Sequence, residues 1–203
     1  MARPRTKPPA ERRRDILDAA RGILIRSGYR DLNLDEVARQ AAIAKGTVYL
    51  YFKDKEDLLV SVFVDMLDGL EARLEQVAPR DGTAESLRRL VAEELDFVDN
   101  THYFLAPFSP GSGILHGPKA GGAARQGRFQ SHLEIMAGRI RACMEKGVLR
   151  SFDPLDSALF LASLMRMFVN RKFLSGSKRP LREQTPQLLE FFLHGLGTGR
   201  GKP

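Results

Sequence analysis

NLDEVARQAAIAKGTVYLYF, residues 33–52, is the stretch whose reading decides the fold. Asn33 followed three residues on by Glu36 is a capping-box variant, and Leu34, Val37, Ala38 and Ala41 supply an apolar stripe at helical spacing. A short helix is predicted there. After Ala42-Ile43-Ala44, the run Lys45 to Phe52 places Ala44, Val48 and Phe52 four residues apart on one face. That leaves Lys45, Thr47, Tyr49, Leu50 and Tyr51 turned outward. Upstream, Ile16, Ala20, Ile23 and Leu24 share a buried face, so a first helix is expected from near Glu11 to Ser27-Gly28, with Gly28 in a left-handed cap. Three short helices, the last two joined by a tight turn, are the geometry that lays a recognition helix in the major groove of DNA.

The outward residues suit that surface. Tyr49 and Tyr51 carry hydroxyls able to bond phosphate oxygens, Lys45 and Lys53 bring positive charge, and Thr47 offers a hydroxyl and a methyl. Leu50 is either a chance exposure or an apolar contact for a thymine methyl. Gly46 inside a helix costs roughly 1 kcal/mol relative to Ala, which suggests that something approaches the backbone there. The alternative for residues 33–52 is an ordinary helical hairpin packing its own core.

Further along, Asp54 is a good N-cap for a long helix carrying Leu59, Val62, Phe63, Met66, Leu70 and Leu74, broken by Pro79 to Gly82. Helices are also expected over 84–100, 128–147, 154–174 and 186–196, and the Gly, Ser, Pro and Ala composition of 109–127 reads as a loop or short broken helices. No alternating strand pattern of useful length appears, so the fold class is all-α. Three parts are expected: a flexible basic arm over 1–10, a helix-turn-helix DNA-binding domain over 11–57, and a helical ligand-binding and dimerisation domain over 58–198. Segments 154–174 and 186–196 are apolar around more of their circumference than one core face needs, which predicts a second buried face.

Composition narrows the function classes. The 203 residues carry a net charge of +7, 43% hydrophobic and 28% charged residues. The basic charge is placed: Arg3, Arg5, Lys7, Arg12, Arg13 and Arg14 gather at the start, whereas 65–100 holds ten carboxylates against four arginines. Such an arm fits a phosphate backbone or a solubilising tail. No apolar run reaches membrane-spanning length, the basic start lacks the apolar segment of a secretory signal, and one cysteine, Cys143, fits a reducing, cytoplasmic setting. His102, His116, His132 and His194 show neither metal spacing nor a nucleophile-and-base pattern. Each reads as a surface or capping histidine, and no enzyme, cofactor or metal is expected. Phe97, Tyr103, Phe104, Phe108, Phe129, Met136, Met165 and Phe168 are the candidates for lining an apolar cavity, with His102 or His116 supplying polarity, although each alone fits core packing better than ligand contact.

The segments Asn33 to Ala38, Ala44 to Phe52 and Lys55-Glu56-Asp57-Leu58-Leu59 together resemble the N-terminal signature of the TetR family of bacterial repressors, over about residues 11–63. The resemblance implies that Lys45, Gly46, Thr47, Tyr49, Leu50 and Tyr51 lie on the recognition helix, with Asn33, Lys53 and Lys55 also at the DNA. Two departures stand out: the family often has Gly where this chain has Ala42, and Ser where it has Ala44. It further implies a homodimer built from helices at about 154–174 and 186–196, double-stranded palindromic operator DNA as partner, and release by a small, largely apolar effector.

Overall fold

A computed structural model describes residues 7–105 and 122–194, with side chains for all of these except 102–105, 122–126 and 173. The elements are α1 (Pro9–Asp31), α2 (Leu34–Gln40), α3 (Lys45–Tyr51), α4 (Lys55–Val77), α5 (Ala84–Leu105), α6 (Gly122–Glu145), α7 (Pro154–Ser175), a 3-10 turn (Leu181–Gln184) and α8 (Thr185–His194). Among the described residues there is no strand, and the fold is all-α. They form two compact units: residues 7–66 with 103–105 and 122–126, and residues 67–102 with 127–194.

The first unit forms around one apolar centre. Ile16, Leu17, Ala20, Ile23 and Leu24 from α1, Leu34, Val37 and Ala38 from α2, Val48 from α3, and Phe52, Leu58, Leu59 and Val62 are all buried. The first helix starts at Pro9, two residues before the expected Glu11, because proline is tolerated at the first helical position. It also runs past Gly28, where φ 75° and ψ −177° break the regular geometry. Gly28 thus has the positive φ expected of it, but its extended ψ makes a kink in place of a left-handed cap. The α2 cap is half of a capping box: the Glu36 N–H donates to Asn33 Oδ1 at 2.8 Å, while the Glu36 carboxylate turns to Arg39.

The turn between α2 and α3 explains one departure from the family pattern. The Ile43 N–H donates to the Ala38 carbonyl at 3.0 Å and the Ala42 N–H to that of Arg39 at 3.3 Å, the two bonds of a Schellman motif. That motif needs a left-handed residue after the cap, and Ala42 sits there at φ 53°. A Cβ in that region costs roughly 1–2 kcal/mol. At the entry to α4, Asp54 Oδ1 accepts the Asp57 N–H at 2.8 Å, and the Asp57 carboxylate accepts the Lys53 N–H at 2.9 Å.

The second unit packs Val91, Leu95, Leu133, Met136, Ala137, Ile140, Ala158, Leu161, Met165, Phe168, Leu181 and Leu188 into one core. Around it, carboxylates of the acidic stretch are tied to cations of the same unit. Arg128 reaches Asp68 and Glu71 at 2.6 Å each, Glu93 takes Arg73 at 2.5 Å and Arg182 at 3.1 Å, and Asp99 pairs with Lys172. Gly82, at φ 71°, lies where any Cβ would collide with the Ala142 carbonyl, so the α4–α5 turn approaches the α6 backbone without a side chain between them.

The stretch 109–127, read as a loop or short broken helices, is helical from Gly122, where α6 begins; residues 109–121 lie outside the described ones. Ala123, Ala124, Arg125 and Gln126 are strong helix formers that outweigh the glycines beside them. His132 is no surface histidine: it is buried, with Nδ1 3.2 Å from Glu71 and Nε2 3.2 Å from Glu94. Burial pulls its pKa down, yet the two carboxylates together outweigh that and raise it above the ordinary 6.5.

Two measurements follow from these contacts. Ala42→Gly should stabilise the protein by roughly 0.5–1 kcal/mol in urea unfolding, the relief of left-handed strain less the greater unfolded freedom of Gly; a loss of stability would show that the turn carries no strain. A histidine whose folded pKa is raised contributes stability that is complete below pH 6.5 and lost as pH rises through the raised value. The melting temperature of the native chain should therefore fall from about pH 6 to about pH 9 more steeply than that of His132→Gln, and parallel curves would sink the assignment.

Candidate nucleic-acid interface

The third helix has two faces with opposite fates. Val48 and the following Phe52 are buried at 0% and 1% exposure, each worth about 1.5–3 kcal/mol of burial. On the other side Lys45, Gly46, Tyr49 and Leu50 are exposed, Leu50 at 83%, while Thr47 and Tyr51 are half-buried. Ala44 does not share the buried face as its spacing predicted: it is the exposed N-cap residue, extended at ψ 143°, and its methyl makes no cap bond. A serine hydroxyl there would accept an orphan N–H, worth roughly 0.5–2 kcal/mol.

Around α3 the structure brings together most of the predicted contact set. Lys53 is exposed just beyond its C-terminus, and Asn33 is exposed at the head of α2, where its side chain caps that helix. Lys55 is turned inward: its ammonium sits 4.1 Å from the centre of the Tyr29 ring and donates to the Arg30 carbonyl at 3.3 Å. Burial lowers its pKa, partly countered by Asp31. Lys55 therefore reaches a phosphate only by leaving Tyr29.

Two participants escaped the sequence reading. The Arg13 guanidinium lies 5.3 Å from the centre of the Phe52 ring, covering the seat of the recognition helix with a cation from α1. Asp35 binds Lys45, its two carboxylate oxygens 2.7 and 2.9 Å from the ammonium. Clustered arginines at the start of the chain hinted at the first; nothing in the spacing of Asp35 and Lys45 signalled the second.

Of the predicted effector contacts, Met136, Met165 and Phe168 meet within the core of the second unit, Phe97 is half-buried, and Phe129 is 40% exposed. His102 and Phe104 belong to α5 with side chains outside the described set, and Phe108 and His116 lie outside the described residues. Among the described residues no group of three or more His, Cys, Asp or Glu is placed to hold a metal ion, and no helix is long and apolar enough to cross a membrane.

A buried-backed, outward-facing third helix on a three-helix unit defines the helix-turn-helix class. Residues 16–62 match the family described as bacterial regulatory proteins, tetR family. The chain is similar to the fatty acid metabolism regulator protein of Bacillus subtilis (strain 168), 34% identical over 43% of this chain and 45% of that protein. It thus spans less than half the length of that relative. It is also 33% identical to the uncharacterised HTH-type transcriptional regulator TtgW of Pseudomonas putida, over 48% of this chain and 71% of that one. The transcriptional regulator FadR of Bacillus subtilis, whose crystal structure was solved in complex with stearoyl-CoA, shares the fold with a TM-score of 0.74 at 22% identity, covering 91% of this chain and 99% of that one. The chain belongs to the TetR family.

Gly46 isolates the role of the exposed face. A Cβ added there meets nothing within 4 Å, so no contact inside the protein requires glycine. Gly46→Ala should raise stability by up to about 1 kcal/mol while weakening duplex binding. Unchanged binding in a shift assay at fixed salt would refute close approach to this backbone.

Proposed function

We propose that this chain is a homodimeric transcriptional repressor that binds double-stranded palindromic operator DNA and is released from it by a small, largely apolar ligand. The observation that carries the reading is the pairing of an exposed Tyr49 and Leu50 with a buried Val48 on one short helix, anchored by the buried Phe52 at its C-cap. A side chain as large and apolar as leucine, left 83% exposed on a rigid rod, suits contact with base edges and thymine methyls, flanked by lysines for phosphate. Asn33, Lys45, Gly46, Thr47, Tyr49, Leu50, Tyr51 and Lys53 form the contact set, with Lys55 in reserve.

Dimerisation is supported by α7. Phe160, Met167 and Leu174 are exposed at seven-residue spacing, Phe160 stacks on Phe192 of α8 at 6.1 Å, and an open groove of about 710 Å³ runs beside Met167 and Leu174. A repeating apolar stripe of this kind is self-complementary about a two-fold axis, which would set two recognition helices on successive half-sites. The likeness to a fatty acid metabolism regulator and to a fold solved with stearoyl-CoA supports a long acyl chain as the apolar part of that effector. Helix α4 contributes residues to both units, so it is a covalent route for coupling effector to operator. A regulator, not an enzyme, fits His132, buried with both ring nitrogens facing carboxylates and no nucleophile between them. Its place of work is the bacterial cytoplasm.

Selection of bound duplexes from a random pool tests this reading. The winning sequences should contain an inverted repeat, and stearoyl-CoA but not free coenzyme A should release them. Absence of any preference over random duplex at matched salt would overturn the proposal.

A further inference from the structure

The ion pair between α2 and α3 has a consequence for the strength of DNA binding. Asp35 stands in the first turn of α2 and Lys45 in the first turn of α3, and both oxygens of the carboxylate lie within 2.9 Å of the ammonium. Neither side chain is buried: Asp35 is 64% and Lys45 57% exposed. The pair is therefore not a core contact holding the two helices together, a task done by Val37, Ala38 and Val48. Glu36, the adjacent carboxylate, is committed to Arg39 at 2.6 Å, so Lys45 answers to Asp35 alone among the acids of α2. The other group near the ammonium is the Tyr49 ring, 6.0 Å away.

We propose that Asp35 is a built-in brake on DNA binding, occupying Lys45 in the free protein so that a phosphate must displace a carboxylate to reach it. The inference rests on the DNA-binding reading above. A phosphate contact made by a free lysine releases condensed counterions from the duplex. When the lysine already carries its own counter-ion, that gain is reduced, and the displaced carboxylate is left facing a polyanion. The brake acts on the electrostatic part of binding, common to operator and random DNA, and leaves the apolar base contact of Leu50 untouched. Asp35 is thus a positioning residue that sets overall affinity and salt dependence without setting sequence preference.

The test is a double-mutant cycle on the full chain, using random duplex and the selected operator over a salt series. Asp35→Asn keeps size and shape, and its melting curve checks that the fold is intact. It should tighten binding to both duplexes by up to about fivefold, the scale of an exposed ion pair, and steepen the plot of log affinity against log salt by about 0.9. The ratio of operator to random affinity should stay constant, and the gain should vanish in a Lys45→Gln background. Equal affinity of Asp35→Asn and the native chain overturns the brake while leaving the DNA-binding reading intact. A gain that persists without Lys45 also overturns it, since Asp35 would then act by direct repulsion of DNA. Failure of the native chain to bind any duplex removes both.

Discussion

The first unit depends on the burial of Val48 and Phe52 against α1 and α2. A seven-residue helix is too short to persist in water by its own hydrogen bonds, because nucleation is costly and few bonds repay it. What makes α3 a rigid rod is the apolar surface it hides, supported by the Arg13 guanidinium over the Phe52 ring and by the capped start of α4 immediately after. Removing the Phe52 ring would cost about 3–5 kcal/mol, a large part of what a small domain has. The exposed face is available for recognition only because the opposite face is anchored.

The second unit uses a different device. From its acidic stretch, Asp68, Glu71, Glu93 and Asp99 pair with Arg73, Arg128, Arg182 and Lys172, so that charge which by sequence alone would face solvent ties helices to one another. His132 between Glu71 and Glu94 lies buried within that network. Paired charges of this sort contribute little net stability, but breaking one partner is expensive, which favours one arrangement of helices over its neighbours.

Much of this was legible from single residues and their spacing. The periodicities of Ile16 to Leu24 and of Leu34 to Ala38 located α1 and α2, and the outward set on Lys45 to Tyr51 followed from the four-residue step between Val48 and Phe52. The misreadings share a cause: local patterns are blind to neighbours brought near by folding. Ala44 fitted the apolar face by spacing, but it precedes the first helical turn and so points elsewhere. His132 meets its first carboxylate partner 61 residues away in sequence. Asp35 and Lys45 sit on different helices, whose crossing the pattern of either one does not reveal. The strain at Ala42 was foreshadowed only by the family's habit of placing glycine there.

If α3 enters a DNA groove with Val48 and Phe52 kept behind it, amide and side-chain NMR shifts on adding the selected duplex report that entry directly. The largest changes are expected at Lys45 to Tyr51, with little change in the Val48 methyls or the Phe52 ring. Changes concentrated away from α3, with its amides unmoved, would contradict it.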